Sequence, residues 1–204
     1  MVSRKIRQAM CPHGFWGGVF AWFMDRSNAR AQNFAFKRLD VQPTDRILEI
    51  GFGTGRLAKK LAKAARDGFV GGVDPSELML HKAEKRTRKF RKKGSVELKL
   101  GEASALPWPD AHFDKVAALH CFQFWADPAH DIAEVRRVLK PDGMLVLILR
   151  VHKKKGPKWL PNPISRSGQD IAGAFEALAN GGFTAVRIEG KAGSSAVLTA
   201  RKVA

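Results

Sequence analysis

The sequence predicts an α/β fold in which a doubly wound, mostly parallel sheet of seven strands is packed between helices. Short apolar runs alternate with segments of helical periodicity along residues 46–151, as in parallel strands joined by helical crossovers. A glycine-rich turn at residues 51–55 joins the first strand to the next helix. Two final strands with no helix between them predict an antiparallel hairpin that closes the sheet.

The chain has the composition of one globular domain, with 204 residues and 45% hydrophobic content. Cys11 and Cys121 fit no metal-ligand or redox spacing, so we expect reduced thiols and a cytoplasmic location. The net charge of +17 predicts attraction to an anionic partner, which could be RNA, a membrane surface or an acidic substrate. The charge does not indicate a type of reaction.

The first 40 residues are predicted to form an N-terminal helical cap, and residues 41–204 the main body of a single structural domain. The segment 14–25 is aromatic and apolar on nearly all sides of a helix, so it should be buried on more than one face. A second helix is predicted from Ser27, as its N-cap, to about residue 38. The basic and apolar start resembles a signal peptide, but Gly17 and Gly18 interrupt the apolar run, and we favour an uncleaved chain.

The glycine-rich turn is predicted to bind a ligand. The apolar strand residues before it end at three alternating glycines, Gly51, Gly53 and Gly55. Glycine permits dihedral angles that a Cβ forbids and lets a ligand approach the backbone, where the next helix offers unpaired N–H groups. The third glycine stands at position 55 instead of 56, which departs from the dinucleotide fingerprint G-x-G-x-x-G. The spacing therefore favours a nucleotide-like ligand other than NAD.

The next helix should end near residue 65, and a second strand, residues 69–73, leads to Asp74. An acid about twenty residues beyond such a turn can accept hydrogen bonds from both hydroxyl groups of a ribose. Asp74 could instead cap the following helix, but Ser76 is better placed for that role.

The helix predicted over residues 76–93 is strongly basic. Its apolar stripe is narrow, so the cations must cover the solvent side, and residues 82–93 could bind RNA or an anionic membrane surface. A solvated helix face is the alternative interpretation.

The remaining elements follow in a regular order. We predict strands at 96–100, 113–119 and 144–151, helices at 128–139 and 168–180, and hairpin strands at 183–188 and 196–200. Ligands of open α/β sheets lie beyond the carboxyl ends of the strands, so residues 120–125, which follow the fourth strand, should face the reacting group.

Several motifs in a fixed order resemble the class I methyltransferases that use S-adenosylmethionine (SAM). Glu49 and the three glycines form E-x-G-x-G-x-G, and residues 74–79 and 102–110 resemble the family's next motifs. The segment R-V-L-K-P-D-G before residue 144 is similar to that of the ubiquinone/menaquinone-biosynthesis enzymes, the type 11 methyltransferases. Asp142 stands where that family usually has glycine, which changes only the turn.

The resemblance implies a Rossmann-like fold with an N-terminal helical lid, SAM as the cofactor and S-adenosylhomocysteine (SAH) as its product. It implies that the cofactor contacts Glu49, Gly51, Phe52, Gly53, Thr54, Gly55, Asp74, Pro75, Met79, Glu102, Ala103 and Leu119. In this comparison Asp74 binds the ribose, and Glu102 with Ala103 contacts the adenine edge.

The catalytic pattern is weaker, because methyl transfer from a sulfonium is an in-line displacement that mainly needs alignment and exclusion of water. His120 is the candidate base, and an orienting or packing histidine is the alternative. Candidate acceptor-binding residues follow from their places beside the predicted ligand: Trp16, Gln123, Trp125, Arg150 and His152. No H-x-x-H, C-x-x-C or G-x-S-x-G pattern occurs, and we expect no metal.

These features predict a SAM-dependent methyltransferase acting on a small, aromatic or apolar molecule. An RNA-methylating enzyme is favoured by the charge and opposed by the absence of an Asn/Asp-Pro-Pro-aromatic motif after the fourth strand. A catalytically silent protein of the same fold, which binds a partner through the basic helix, is the third hypothesis.

Overall fold

The computed structural model describes residue 26 and residues 28–150, 168–191 and 195–203. Its helices within these residues are α1 (Ala29–Leu39), α2 (Arg56–Ala64), α3 (Glu77–Arg91), α4 (Pro128–Val138) and α5 (Gly168–Asn180), with a 3₁₀ turn at Phe122–Phe124. The predicted helix 14–25 and the candidate residues Trp16 and His152 lie outside the described residues.

Seven strands form one sheet. They are β1 (Arg46–Ile50), β2 (Phe69–Asp74), β3 (Val96–Leu100), β4 (Phe113–Leu119), β5 (Leu139–Arg150), β6 (Phe183–Lys191) and β7 (Ser195–Lys202). The order is β3-β2-β1-β4-β5-β7-β6, with β1 to β5 parallel and β7 antiparallel to both of its neighbours. The predicted doubly wound fold with an antiparallel C-terminal hairpin is confirmed.

The helices cover both faces of this sheet. Apolar side chains of α1, α2 and α3 share one buried cluster with Ile47 and Val146, while those of α4 and α5 share the other with Leu48 and Leu147. Neighbouring strand residues thus point to opposite helical layers, which is why these strands read as continuous apolar runs. The chain reverses its direction of winding between β1 and β4, so their carboxyl ends border a crevice.

Several element boundaries differ from the predictions, among them the starts of α1 and β5 and the end of β6, which runs to Lys191 instead of residue 188. Helix α1 begins at Ala29 after Asn28, and Asn28 makes no side-chain capping bond, while Ser27 lies outside the described residues. Strand β5 begins at Leu139 instead of residue 144, because Leu139 is extended and pairs with Phe113. Asp142 then takes a left-handed φ of 60°, so the predicted turn is an irregularity inside the strand.

The described part of the predicted cap packs as core. Ala35 and Leu39 of α1 are fully buried, and α1 lies against β4 and β5. No helix in the described ranges is long and apolar enough to cross a membrane.

Candidate active site

A cavity of about 210 Å³ lies at the carboxyl ends of β1, β2, β3 and β4. Most of the residues predicted to contact a ligand line it, namely Glu49, Gly51, Phe52, Gly53, Thr54, Asp74, Pro75, Met79, Glu102, Ala103, Leu119, His120 and Trp125. The sheet order brings these distant segments together, because parallel strands end at the same edge.

The glycines of the turn are needed for different structural reasons. All three have positive φ, 73° at Gly51, 52° at Gly53 and 72° at Gly55, which L-residues adopt at a cost. A Cβ on Gly53 would meet nothing within 4 Å, so this stretch of backbone borders open space beside the cavity. A Cβ on Gly55 would lie 2.7 Å from the Ala83 Cβ, and Gly55 does not line the cavity. Gly55 therefore permits α2 to pack closely on α3.

Asp74 joins the ends of β1 and β2. Its Oδ2 accepts a hydrogen bond from the Gly53 N–H at 2.8 Å, and its Oδ1 accepts one from the Ser76 N–H at 3.0 Å. Burial raises the pKa of this carboxyl to about 6, although both backbone N–H groups oppose the shift. Each carboxylate oxygen has a second lone pair, so Asp74 can still accept hydrogen bonds from a ligand in the cavity.

Glu49 and Thr54 complete the floor beside the turn. Glu49 is only 3% exposed, which is unusual for an acid, because it lies on a strand in the sheet interior. The Thr54 Oγ1 accepts a hydrogen bond from Arg86 Nη1 at 2.6 Å, which ties the basic helix α3 to the glycine turn.

The loop after β3 is held by α4. His130 Nε2 lies 3.0 Å from the Ser104 carbonyl oxygen, and the Glu134 carboxylate accepts from the Leu106 N–H at 3.0 Å. Ala103 is buried in this loop, whereas Glu102 is exposed at the rim. Glu102 lines the cavity, and its role as a ligand contact stays a prediction.

His120 has an unusual backbone and a fixed side chain. Its φ is 54°, and its N–H donates to the Ile148 carbonyl oxygen at 2.8 Å, so the strand ladder holds this strained residue in place. Its Nε2 lies 2.9 Å from the Ser195 Oγ, while its Nδ1 is buried with no hydrogen-bond partner in the described part of the chain. Burial, and then the positive charge of Arg150, lower the pKa of His120 to about 3.

Of the three predicted acceptor-binding residues that the structure describes, one lines the cavity and two do not. Trp125 lines the cavity, but Gln123 does not, because its amide donates at 2.5 Å to the carbonyl oxygen of His120. Arg150 also lies outside the cavity wall, and its Nη2 donates at 2.5 Å to the Asn28 Oδ1. Gln123 and Arg150 thus support residues of the wall.

Cys121 and Phe124, in the segment 120–125 that was predicted to face the reacting group, also line the cavity. Other wall residues were not singled out from the sequence, and they include Asn28, Gln32, Asp127 and Asp131. Asn28 and Gln32 are four positions apart at the start of α1, so helical spacing could have found them once one was known. The Cys121 thiol contacts the Ile50 carbonyl oxygen, and burial raises its pKa far above the ordinary value. Cys121 is therefore a neutral wall residue and no nucleophile.

The described residues contain no group of three or more His, Cys, Asp or Glu side chains that could hold a metal. The fold and the cavity define a class: an open α/β sheet with a glycine turn and an acid at adjoining strand ends, which is the arrangement of a nucleotide- or nucleoside-binding domain.

Comparison with known proteins identifies the family. A family model described as a methyltransferase domain matches residues 48–147. The chain is 27% identical over 173 residues to an uncharacterized methyltransferase, YdaC, of Bacillus subtilis, covering 85% of this chain and 90% of YdaC. Residues 48–147 thus match a methyltransferase family, whose members are enzymes with SAM as the cofactor.

Other relatives are more similar over shorter stretches. The chain is 34% identical over 135 residues to the 27-O-demethylrifamycin SV methyltransferase of Amycolatopsis mediterranei, covering 66% of this chain and 49% of that one. It is 38% identical over 108 residues to a demethylmenaquinone methyltransferase of Symbiobacterium thermophilum, covering 52% and 43%. The chain thus spans less than half the length of both.

A solved SAM-dependent methyltransferase from Aquifex aeolicus has the same fold. It superposes with a TM-score of 0.73 at 23% identity, over 98% of this chain and 97% of that one.

Proposed function

We propose that this protein transfers the methyl group of SAM to a small, aromatic or apolar acceptor. The observation that carries the proposal is the composition of the cavity wall around His120. Leu119, Phe124 and Trp125 supply apolar surface there, next to the single imidazole. Such a wall suits a flat or apolar molecule with few polar groups.

The residues at the strand ends are compatible with one orientation of the cofactor along the crevice. The open space at Gly53 accommodates a ligand against the backbone, and the spare lone pairs of Asp74 can accept from ribose hydroxyls. The loop after β3 would then hold the base, and the end of β4 would face the methyl group. When bound, the cofactor supplies an electrophilic methyl on its sulfonium.

The Asp74 carboxylate must be ionised to accept both ribose hydrogens, which makes cofactor binding pH-dependent. The pKa of Asp74 is raised to about 6, so the carboxyl gains its proton as the pH falls through that value. We expect SAH to bind about tenfold more weakly at pH 5 than at pH 7.5, because one pH unit below the pKa about nine-tenths of the sites are protonated. Titration calorimetry at both pH values measures this.

The control is Asp74→Asn, which cannot ionise. Its weaker affinity for SAH should be nearly the same at both pH values. A wild-type affinity that stays constant between pH 7.5 and pH 5 would contradict the placement of the ribose at Asp74.

We propose that His120 orients the acceptor through a hydrogen bond to its Nδ1. If the Ser195 Oγ accepts from the Nε2–H group, the lone pair of the neutral ring lies on Nδ1. A pKa of about 3 makes this imidazole a weak proton acceptor at neutral pH, which favours orientation over full proton removal. The base role predicted from the sequence stays a prediction.

His120→Gln should slow methyl transfer by about tenfold or more while changing the affinity for SAH less than twofold, since a misaligned acceptor affects only the chemical step. Labelled methyl transfer and calorimetry measure the two effects. Ser195→Ala is the matched variant, because it keeps the imidazole and removes its partner, and we expect a smaller loss. Full turnover by His120→Gln would remove His120 from the mechanism.

The acceptor class is tested by transfer of labelled methyl from SAM to a panel of aromatic and alicyclic hydroxyl, amine and thiol compounds. Two relatives are named for 27-O-demethylrifamycin SV and demethylmenaquinone, and neither name is that of a nucleic acid. We expect transfer to aromatic members of the panel, and none to aliphatic polyols. The opposite preference would contradict the apolar wall as the recognition surface.

An RNA-methylating function is the second candidate, and an asymmetry of charge favours it. Helices α1, α2 and α3 on one face of the sheet carry 13 Lys and Arg against two Glu, whereas α4 and α5 on the other carry two Arg against four acids. The exposed large apolar residues of the described chain, Leu100, Ile188 and Val203, lie outside these helices. Binding to structured RNA that falls steeply as salt rises would support this candidate, and no retention on RNA at moderate salt would exclude it.

A further inference from the structure

Asp131 is a buried carboxylate that nothing in the fold explains. It lies in the first turn of α4, is 2% exposed and lines the cavity. Its Oδ1 is buried and has no hydrogen-bond partner in the part of the chain that the structure describes. A polar atom left in this state destabilises a protein, and a carboxylate more than a neutral group.

The surroundings of Asp131 increase this cost. Two further acids, Asp127 and Glu102, act on it unfavourably, and only His130 acts in its favour. Burial and the two acids raise the pKa of Asp131, and His130 opposes them. A carboxylate that destabilises the free protein and also lines a cavity has a reason to be there if it accepts a hydrogen bond from a bound ligand.

The position of Asp131 indicates which part of a ligand that is. The first turns of α4 are fastened to the loop after β3 through His130 on the Ser104 carbonyl and Glu134 on the Leu106 N–H. Asp131 therefore lies beside the loop after β3, and Glu102 of that loop is close enough to act on its charge. In the direction proposed for the cofactor, this loop holds the adenine.

We propose that the Asp131 carboxylate accepts a hydrogen bond from the exocyclic 6-amino group of the cofactor's adenine. This inference rests on the proposed function and adds to it a residue that selects the base. The exposed Glu102, which the sequence comparison favours for this contact, is less suited, because a buried acceptor without water discriminates more strongly. The adenine amino group supplies the donor that the Asp131 Oδ1 lacks.

The test compares two ligands in three proteins by titration calorimetry. The ligands are SAH and its 6-deamino analogue, which has hydrogen in place of the amino group. The proteins are the wild type, Asp131→Ala and Asp127→Ala. Asp127 is the matched control, because it carries the same charge at the same end of α4, yet its Oδ1 accepts from the Ala129 and His130 N–H groups as a helix cap.

We expect Asp131→Ala to weaken SAH binding about tenfold and to change the affinity for the 6-deamino analogue less than twofold, since only SAH loses a hydrogen bond. Asp127→Ala should change both affinities by the same factor.

Thermal unfolding without ligand gives a second readout. Asp131→Ala should unfold at the same or a higher temperature than the wild type, because a costly buried carboxylate is removed, and Asp127→Ala at a lower one.

Equal weakening of both ligands by Asp131→Ala, or weakening of neither, would overturn the inference while leaving the proposed function intact. A lower unfolding temperature of free Asp131→Ala would also overturn it, since the carboxylate would then serve the fold. If wild-type protein binds neither ligand, the proposed function itself fails and the inference fails with it.

Discussion

Asp74→Ala should weaken the binding of SAH by about a hundredfold or more, the largest effect that we expect of any single side chain. Two losses add in this variant. The first is a pair of charge-assisted hydrogen bonds to the ribose, worth roughly 1.5–3 kcal/mol. The second is the bond from the Gly53 N–H to the Asp74 Oδ2, which holds the turn in shape without any ligand. Titration calorimetry with SAH measures the sum.

Asp74→Asn separates the two losses. An asparagine keeps one acceptor oxygen for either Gly53 or the ligand, and it carries no charge. We expect its affinity for SAH to lie between those of the wild type and Asp74→Ala. Unchanged affinity in Asp74→Ala would show that the ribose does not bind here.

The second large effect is a contrast between two glycines. Gly53→Ala should reduce SAH binding severely, because its Cβ would occupy the open space where the cofactor is proposed to lie. It should cost only about 1–2 kcal/mol of stability, the strain of a positive φ in alanine, since the Cβ meets no other atom. Gly55→Ala should do the reverse. Its Cβ would lie 2.8 Å from the Cα of Ala83, and backbone inside a helix has little freedom to move.

Thermal unfolding and SAH calorimetry on both variants make this comparison. We expect Gly55→Ala to lose about 2–4 kcal/mol of stability, from overpacking and positive φ together, and to keep an affinity closer to that of the wild type. If Gly53→Ala binds SAH as tightly as the wild type, the cofactor does not lie against this turn.

The fold could be predicted because its signals are local. Ile47, Leu48 and Ile50 form an apolar run that stops at glycine, and such runs, alternating with helices, admit few arrangements other than a parallel sheet. The largest departure is the start of β5 at Leu139, five residues before the predicted start. There the pairing with Phe113 extends the strand through Asp142, and a partner strand cannot be seen in the segment itself.

The spacing of the three glycines and Asp74 follows from what a strand-turn-helix unit needs to bind a nucleoside, and the sequence predicts a binding role for all four. Gly51, Gly53 and Asp74 line the cavity, whereas Gly55 does not. The sequence does not reveal that position 55 must be glycine to leave room for Ala83, because that contact joins two different helices. Asp131 escaped notice because a helical acid four residues after an N-cap is usually solvated, and only the three-dimensional fold buries it.

The position of His120 shows why catalytic roles are harder to read than binding roles. Its chemistry depends on Ser195 and Arg150, which are register partners on β7 and β5, far from it in sequence. The same imidazole on a solvated loop would titrate near its ordinary pKa and be a far better base.

A crystal structure of the complex with SAH tests the central claim most directly, because that claim is a position. We expect the nucleoside at the ends of β1 to β4, with its ribose hydroxyls on Asp74, its base between Met79 and the loop after β3, and its sulfur facing His120. If crystals grown from protein saturated with SAH show this crevice empty, or show SAH bound elsewhere, the claim is contradicted.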